Sequence, residues 1–499
     1  MVQSISEAAR YRAIHRAVVL GLAGLTLAAC AVGPEYSLPT ITLPGQWHHA
    51  AETRPVKAAD LGEWWRDLGD PMLNRLIERA VAGNLDVAAA KAKIRQARAQ
   101  LREQAGNLAP SLTGVDSATR SQTPASTSGT GKTTVSNLFQ AGLDASWEVD
   151  LFGANERAVE AASATAQASE ADLQATLLTL VGDVASYYID ARGYQAEIAL
   201  ARRTAESQRS TAKLTGSKFE AGTASAVDVA KADALAATTE SDIPAYESAL
   251  AQSIHRLGLL VGDEPGALSG EMKQSAPVPS ASKALPRGIP ADLLQHRPDI
   301  RAAERRLASA TAEIGAAEAA RYPSITLSGS ISTTGTKTDQ LFKASSIAWS
   351  WGPSVNVPLF TGGRLEATVD AAAASRDQSL ITWRSTVLSA LGDVENALVS
   401  ISAERVHQDK LSEATRNYRK AADLSRALYQ SGSSSFLDVL DAEKSLYSAE
   451  TSRIASRISL AKDHVALAKA LGGGWVKPVD PTKPEIIDVA TGPHMRRTD

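Results

Sequence analysis

From Leu173 to Ala205 apolar residues recur in alternating steps of four and three, through Leu177, Leu180, Val184, Tyr187, Ala191, Tyr194, Ile198 and Ala201. This spacing is the seam of a coiled coil, because it keeps one stripe of an α-helix facing a partner helix. No proline stands between Ala154 and Ile243, so the pattern predicts one long helix up to a turn at Gly222 and another after it. At about 1.5 Å per residue the first reaches on the order of 100 Å, which is excessive for a globular domain. A different period governs Phe139 to Leu151, where Phe139, Ala141, Leu143, Ala145, Trp147, Val149 and Leu151 alternate with polar or small residues that include Asp144 and Glu148. Ile347, Trp349, Trp351, Val355, Val357 and Leu359 repeat that alternation. Both runs read as long strands with one greasy and one polar face.

Ser111 to Thr119 and Ile325 to Ser332 supply weaker partners, which brings the chain to four strands. An apolar outer face and a polar inner face suit a membrane barrel, where lipid offers no partner to exposed backbone groups. A soluble sandwich would place Lys or Glu more freely on its wet face and would carry no long helices. Four strands cannot close. Two chains would give eight, a barrel nearly filled by its own side chains, whereas three would give twelve and leave a lumen; closure alone does not exclude four chains.

The chain is one unit written twice. Phe219, Gly222, Asp228 and Val229 match Tyr429, Gly432, Asp438 and Val439 at one constant offset, which also maps Gly182-Asp183-Val184 onto Gly392-Asp393-Val394. Farther upstream, Ala109-Pro110-Ser111-Leu112 answers to Tyr322-Pro323-Ser324-Ile325 at a slightly larger offset. Each copy reads helix, strand pair, long helix, turn, helix. The copies span 61–262 and 291–473, joined by a proline-bearing linker over 263–290 and followed by a flexible tail over 474–499.

Residues 1–29 read as a lipoprotein signal peptide, with Arg10, Arg12 and Arg16 before an apolar run from Ala17 to Ala29 that is too short to span a bilayer comfortably. Leu27-Ala28-Ala29-Cys30 resembles a bacterial lipobox, in which cleavage leaves Cys30 acylated at the new N-terminus, and residues 30–60 then form a lipid-anchored extended segment. Ala31, rather than Asp, follows the cysteine, which by the sorting rules that the resemblance implies points to the outer membrane. Cys30 is the only cysteine, so the chain forms no internal disulfide and assembles no thiolate metal site. The 44% hydrophobic share is dominated by alanine, with 5% aromatics, which suits close-packed long helices. A net charge of -3 gives no field for holding nucleic acid.

Residues spread along nearly the whole mature chain resemble the TolC-like outer-membrane factor family of the lipoprotein type. They are Cys30-Ala31-Val32-Gly33-Pro34-Glu35-Tyr36, Trp64-Trp65, Asp70-Pro71, Asn84-Leu85, His296-Arg297-Pro298-Asp299, Pro323, Pro358-Leu359-Phe360 and Leu437-Asp438-Val439-Leu440-Asp441. The resemblance implies a mainly helical homotrimer with a twelve-stranded barrel in the outer membrane and a helical tunnel across the periplasm. It also implies no catalysis, no cofactor beyond the lipid on Cys30, and two partners: a periplasmic adaptor and an inner-membrane pump of the resistance-nodulation-division type. An exit duct for type I protein secretion would share this fold. A periplasmic coiled-coil scaffold lipoprotein would explain Cys30 and the helices but not the strands. An enzyme reading lacks any cluster of nucleophile, base and orienting group.

The resemblance further implies that rings of aspartate constrict the periplasmic end, at positions matching Asp438 and Asp441, with Tyr429 a matching aromatic near the tip. Spaced three apart, the two aspartates share a helical face, and threefold symmetry would repeat each into a ring. Ser435 and Asp438 also have the spacing of a capping box, which the twin pair Ser225 and Asp228 repeats, so Asp438 reads as either cap or gate. Asp441 has no capping role, and its twin is Lys231. Gly222 and Gly432, with Asp228, mark the turns and adaptor-facing tips, where a tight reversal favours a positive φ. Ser128-Gly129-Thr130-Gly131-Lys132-Thr133 imitates a phosphate-binding loop but has Ser126 where the motif needs glycine and lies between two strands, so it reads as an extracellular loop. His48-His49 reads as a loop pair rather than a metal site.

Overall fold

The computed structural model describes residues 31–49, 61–127, 129, 131–281, 289–341 and 343–482; the signal segment and Cys30 lie outside the described residues. After a short 3₁₀ turn at Trp64–Leu68 come helices α1 (Pro71–Gly83) and α2 (Leu85–Gly106), strands β1 (Ser111–Thr123) and β2 (Thr134–Val149), and helices α3 (Ala154–Glu220) and α4 (Ala226–Leu260). The second half runs α5 (Pro298–Ala319), β3 (Ser324–Gly335), β4 (Ile347–Asn356), α6 (Arg364–Gln430) and α7 (Phe436–Ala470). The duplication is visible in the lengths: α3 and α6 each have 67 residues, and α4 and α7 each have 35.

The chain divides into two compact units. The first, built from residues up to 39, 96–168 and 303–383, holds the sheet. Its strands run in the order β1-β2-β3-β4, every neighbour antiparallel. The β1-β2 hairpin pairs out to Thr123 opposite Thr134, and β3 reaches Gly335, farther than the apolar alternation alone predicted. Hydroxyl residues fill these outer turns, and they carry a strand without marking a greasy face. Two ends fall short of the expected Leu151 and Leu359. β2 stops at Val149, because the Asp150 carboxylate accepts from the Glu156 N–H at 2.8 Å and starts α3. β4 stops at Asn356, two residues before Pro358, which has no N–H to give a ladder.

The second unit comprises 40–95, 169–302 and 384 onward. Its core gathers Leu73, Leu76 and Ile77 of α1, Leu177, Val184, Tyr188 and Ile189 of α3, Leu257 of α4 and Val465 of α7, all at or near zero exposure. Here α3 buries more than its predicted seam: Val181, Ala185, Arg192 and Gln195, on other faces, are also buried. The extra burial has a physical cause. Gly182 and Gly193 bring the α3 backbone against the side chains of Lys469 and Ile458 on α7, while α1 covers another side.

Several residues behind the family resemblance act as structural knots in this unit. Asp70 caps α1 by accepting from the Met72 N–H at 2.8 Å, and its other oxygen accepts from the Tyr188 hydroxyl at 2.6 Å. Asn84 caps α2 through its Oδ1 and donates its Nδ2 to the Leu260 carbonyl at 3.0 Å. Arg297 pairs with Asp299 at 2.6 Å and Asp393 at 3.0 Å, and donates to the Ala470 carbonyl. Trp64 donates to the Gly473 carbonyl, and Trp65 stacks on Trp475 with centroids 6.1 Å apart. The chain after α7 is thus irregular, with contacts from Gly473 and Trp475 to the first turn of the unit.

Candidate functional sites: strand faces, N-terminal segment and hairpin tips

The register sorts the strand residues onto two faces, since residues directly opposite in an antiparallel pair share a face. One face carries Leu143, Trp147, Leu327, Ile331, Trp349, Trp351 and Val355, with Trp349 and Trp351 70% and 73% exposed. The other is a carpet of hydroxyls. Every β3 residue on it is Ser or Thr (Ser324, Thr326, Ser328, Ser330, Ser332 and Thr334), and Ser350 and Ser354 continue it on β4. Asp144 and Glu148 project from this face, exposed. Trp147 and Trp351 thus share the apolar face, and Glu148 and Asn356 the polar one. The described residues of the phosphate-loop mimic, 129 and 131–133, lie between β1 and β2, and β2 rather than a helix follows them.

The chain just after Cys30 is clamped into the first unit. The Val32 N–H donates to the Phe152 carbonyl at 3.1 Å, and Arg157 Nε donates to the Val32 carbonyl at 3.3 Å. Gly33, at φ +93°, sits so close to Gly315 of α5 that a side chain on Gly33 would collide with backbone. The Tyr36 hydroxyl donates to Glu304, which also pairs with Arg305. This segment therefore ends beside the foot of β2, where Ala31 packs on Gly153.

In the second unit, both hairpin turns close in the same way. Gly222 (φ +76°) and Gly432 (φ +79°) follow α3 and α6, and the next residues, Thr223 and Ser433, each donate a backbone N–H at 2.8 Å to the carbonyls of Lys218 and Leu428. A second cap starts each return helix. The Asp228 carboxylate accepts from the Ser225 N–H and hydroxyl, and Asp438 accepts from Ser435 likewise and from the Ser434 hydroxyl at 2.7 Å. Those hydrogen bonds hold both carboxyls below their ordinary range, with Ser434 the largest influence at Asp438. Asp441 lies exposed on the same helix with no hydrogen bond or ion pair to any described residue. Tyr429 is 5% exposed: its ring meets Phe436 edge-on, Lys218 sits 5.0 Å from its centroid, and its hydroxyl donates to Thr215 at 3.2 Å.

Sequence reading missed two buried carboxylates of this unit, one near the tips and one farther along α3. Glu443, 4% exposed, accepts from Thr211 at 3.0 Å and from Arg426 at 2.9 Å. Glu197 on α3 is buried with no hydrogen bond to a described residue, and burial pushes its carboxyl up to about 7. Single polar residues inside an alanine-rich helix carry no pattern that would mark them. His49 pairs with Glu395 at 3.0 Å, with His48 donating its backbone N–H to the same carboxylate. Among the described residues no group of three or more His, Cys, Asp or Glu is arranged to hold a metal, and no helix is long and apolar enough to cross a membrane.

A duplicated helical hairpin joined to four two-faced strands matches the model of the outer membrane efflux proteins, over residues 76–263 and 289–473. The chain belongs to that family. It is 35% identical over 459 residues to nodulation protein T of Rhizobium leguminosarum bv. trifolii, covering 90% of this chain and 96% of that one. It is 33% identical to the pyoverdine export outer membrane protein OpmQ of Pseudomonas aeruginosa, covering 90% and 95%, and 32% identical to the solvent efflux pump outer membrane protein SrpC of Pseudomonas putida, covering 90% and 97%. Among solved structures it is similar to the outer-membrane channel OprN, with a TM-score of 0.83 at 34% identity over 89% of this chain and all of that one. The open state of the Neisseria gonorrhoeae MtrE channel gives 0.78 at 31% identity, covering 89% and 98%. This outer membrane efflux protein therefore has the fold of the TolC-like outer-membrane channels, and its place is the outer membrane.

Proposed function

We propose that this efflux protein is the exit duct of a tripartite pump, a passive conduit for small molecules. Three copies close a twelve-stranded barrel, an inner-membrane pump of the resistance-nodulation-division type supplies the energy, and a periplasmic adaptor joins the two. One observation carries the reading: a four-stranded sheet has an apolar face, a hydroxyl face and two unpaired edges on β1 and β4. Such edges demand further strands, and closure over three copies satisfies them while leaving a wet lumen. Relatives named for solvent efflux and pyoverdine export support small-molecule cargo.

Acyl chains on Cys30 complete the picture as a second hold on the membrane. The clamp on Val32 and Gly33 supports it, because it brings the chain out at the foot of the strands. Asp441 and Tyr429 serve the closed end of the conduit, with Asp438 capping the helix that carries Asp441, and the tips at Gly222 and Gly432 receive the adaptor.

The purified chain should run as a heat-modifiable trimer in detergent, and its deletion should raise intracellular accumulation of small toxic solutes. A monomeric detergent complex would reject the closed barrel. Loss of a secreted protein, with solute accumulation unchanged, would point to type I secretion instead.

A further inference from the structure

Four charged residues occur in the strands: Asp116 and Arg120 on β1, and Asp144 and Glu148 on β2. The register separates them. Asp116 stands opposite Ala141 and Arg120 opposite Asn137, in the rows of the apolar face, whereas Asp144 stands between Thr113 and Ser330, and Glu148 opposite Thr326, in the hydroxyl rows. No basic residue of the strands shares a face with the two acids. Neither carboxylate has an ion pair or hydrogen bond to any described residue, so no described residue pairs with their charge.

We propose that Asp144 and Glu148 make the barrel wall itself a cation-favouring filter, separate from any constriction at the hairpin tips. The inference rests on the closed trimeric barrel proposed above. Threefold repetition turns each residue into a ring of three carboxylates facing the lumen, surrounded by hydroxyls that solvate ions of either sign. Four residues of extended chain separate the rings, about 13 Å along the strand. That exceeds the screening length of about 8 Å at physiological salt but is well inside the roughly 30 Å at 10 mM, so the rings act singly in the first case and as one field in the second. Cationic and neutral solutes therefore meet the lower barrier on the way out, and anionic solutes the higher one.

The test is the reversal potential of the full-length trimer in a planar bilayer under a KCl gradient, at low and at physiological salt. Wild type should favour potassium over chloride, more strongly at low salt. Asp144→Asn with Glu148→Gln should lose that preference while still conducting, and Asp144→Lys should shift it toward chloride. Asp438→Ala with Asp441→Ala should leave the low-salt preference largely in place. An unchanged preference in the neutral barrel variant, or its loss in the tip variant alone, overturns the proposal. A folded trimer that conducts nothing overturns the conduit and the filter together, whereas failure of the filter alone leaves the conduit standing.

Discussion

The Asp438 carboxylate accepts from both the backbone N–H of Ser435, at 3.1 Å, and its hydroxyl, at 3.0 Å. One oxygen serves both bonds and a third from Ser434, so the side chain is committed to starting α7. Asp441, one turn on, has no such commitment. Asp438→Ala should therefore lower thermal stability and leave ion flow through the tips unchanged, whereas Asp441→Ala should change single-channel conductance with stability unaltered. Single-channel conductance and a melting curve on each variant separate the two, and a stability loss confined to Asp441→Ala would reverse the assignment.

The register gives a second expectation. Cysteines placed at Glu148 and Asn356, in a Cys30-free background with a substitute signal, should react with a membrane-impermeant thiol reagent. Cysteines at Trp147 and Trp351 should not. Strong labelling of the tryptophan positions with none at the other two would mean that the faces are inverted.

For the anchor, Cys30→Ser should abolish incorporation of labelled palmitate. The barrel should still insert, because its apolar face holds it independently of the lipid. Palmitate labelling that persists in this variant would place the acyl group elsewhere.

Burial sets a fourth expectation at Glu197, whose carboxyl rises to about 7 from an ordinary value near 4.5. Below the unfolded value both states hold the proton and no penalty exists. As pH rises toward 7 the unfolded chain releases its proton first, so stability falls across that window and levels off above it. Glu197→Gln should remove the loss, stabilising the protein by roughly 3 kcal/mol at pH 8 and by almost nothing at pH 4.5. The neighbouring Tyr194 and Tyr246 feel this charge, and burial raises both, so neither titrates in the window. Denaturant melts at the two pH values decide it; equal gains at both would rule out the titration.

Much of this was legible in the sequence because it is periodic. Steps of four and three declared α3, period-two alternation declared β2 and β4, and a constant offset declared the second copy. What stayed hidden is local and aperiodic. Nothing in the spacing of Glu443 shows that Thr211 and Arg426 converge on it, since these partners lie on different helices. The clamp of Gly33 on Gly315 depends on the absence of side chains, which composition does not reveal. The strand ends are equally hidden from period-two alternation, since serine and threonine extend a ladder and Pro358 and Asp150 end one.

The matched lengths of α3 with α6 and of α4 with α7 bear on how other proteins attach. In the proposed trimer, three copies of a doubled unit present six hairpin ends, alike in backbone but alternating in chemistry, with Lys231 exposed on one kind and Asp441 on the other. The hairpin ends of that trimer are thus nearly sixfold in form while its symmetry is threefold. A surrounding collar of six identical subunits would find six seats of the same form, yet could bind them only in two alternating modes, one meeting a cation and the next an anion.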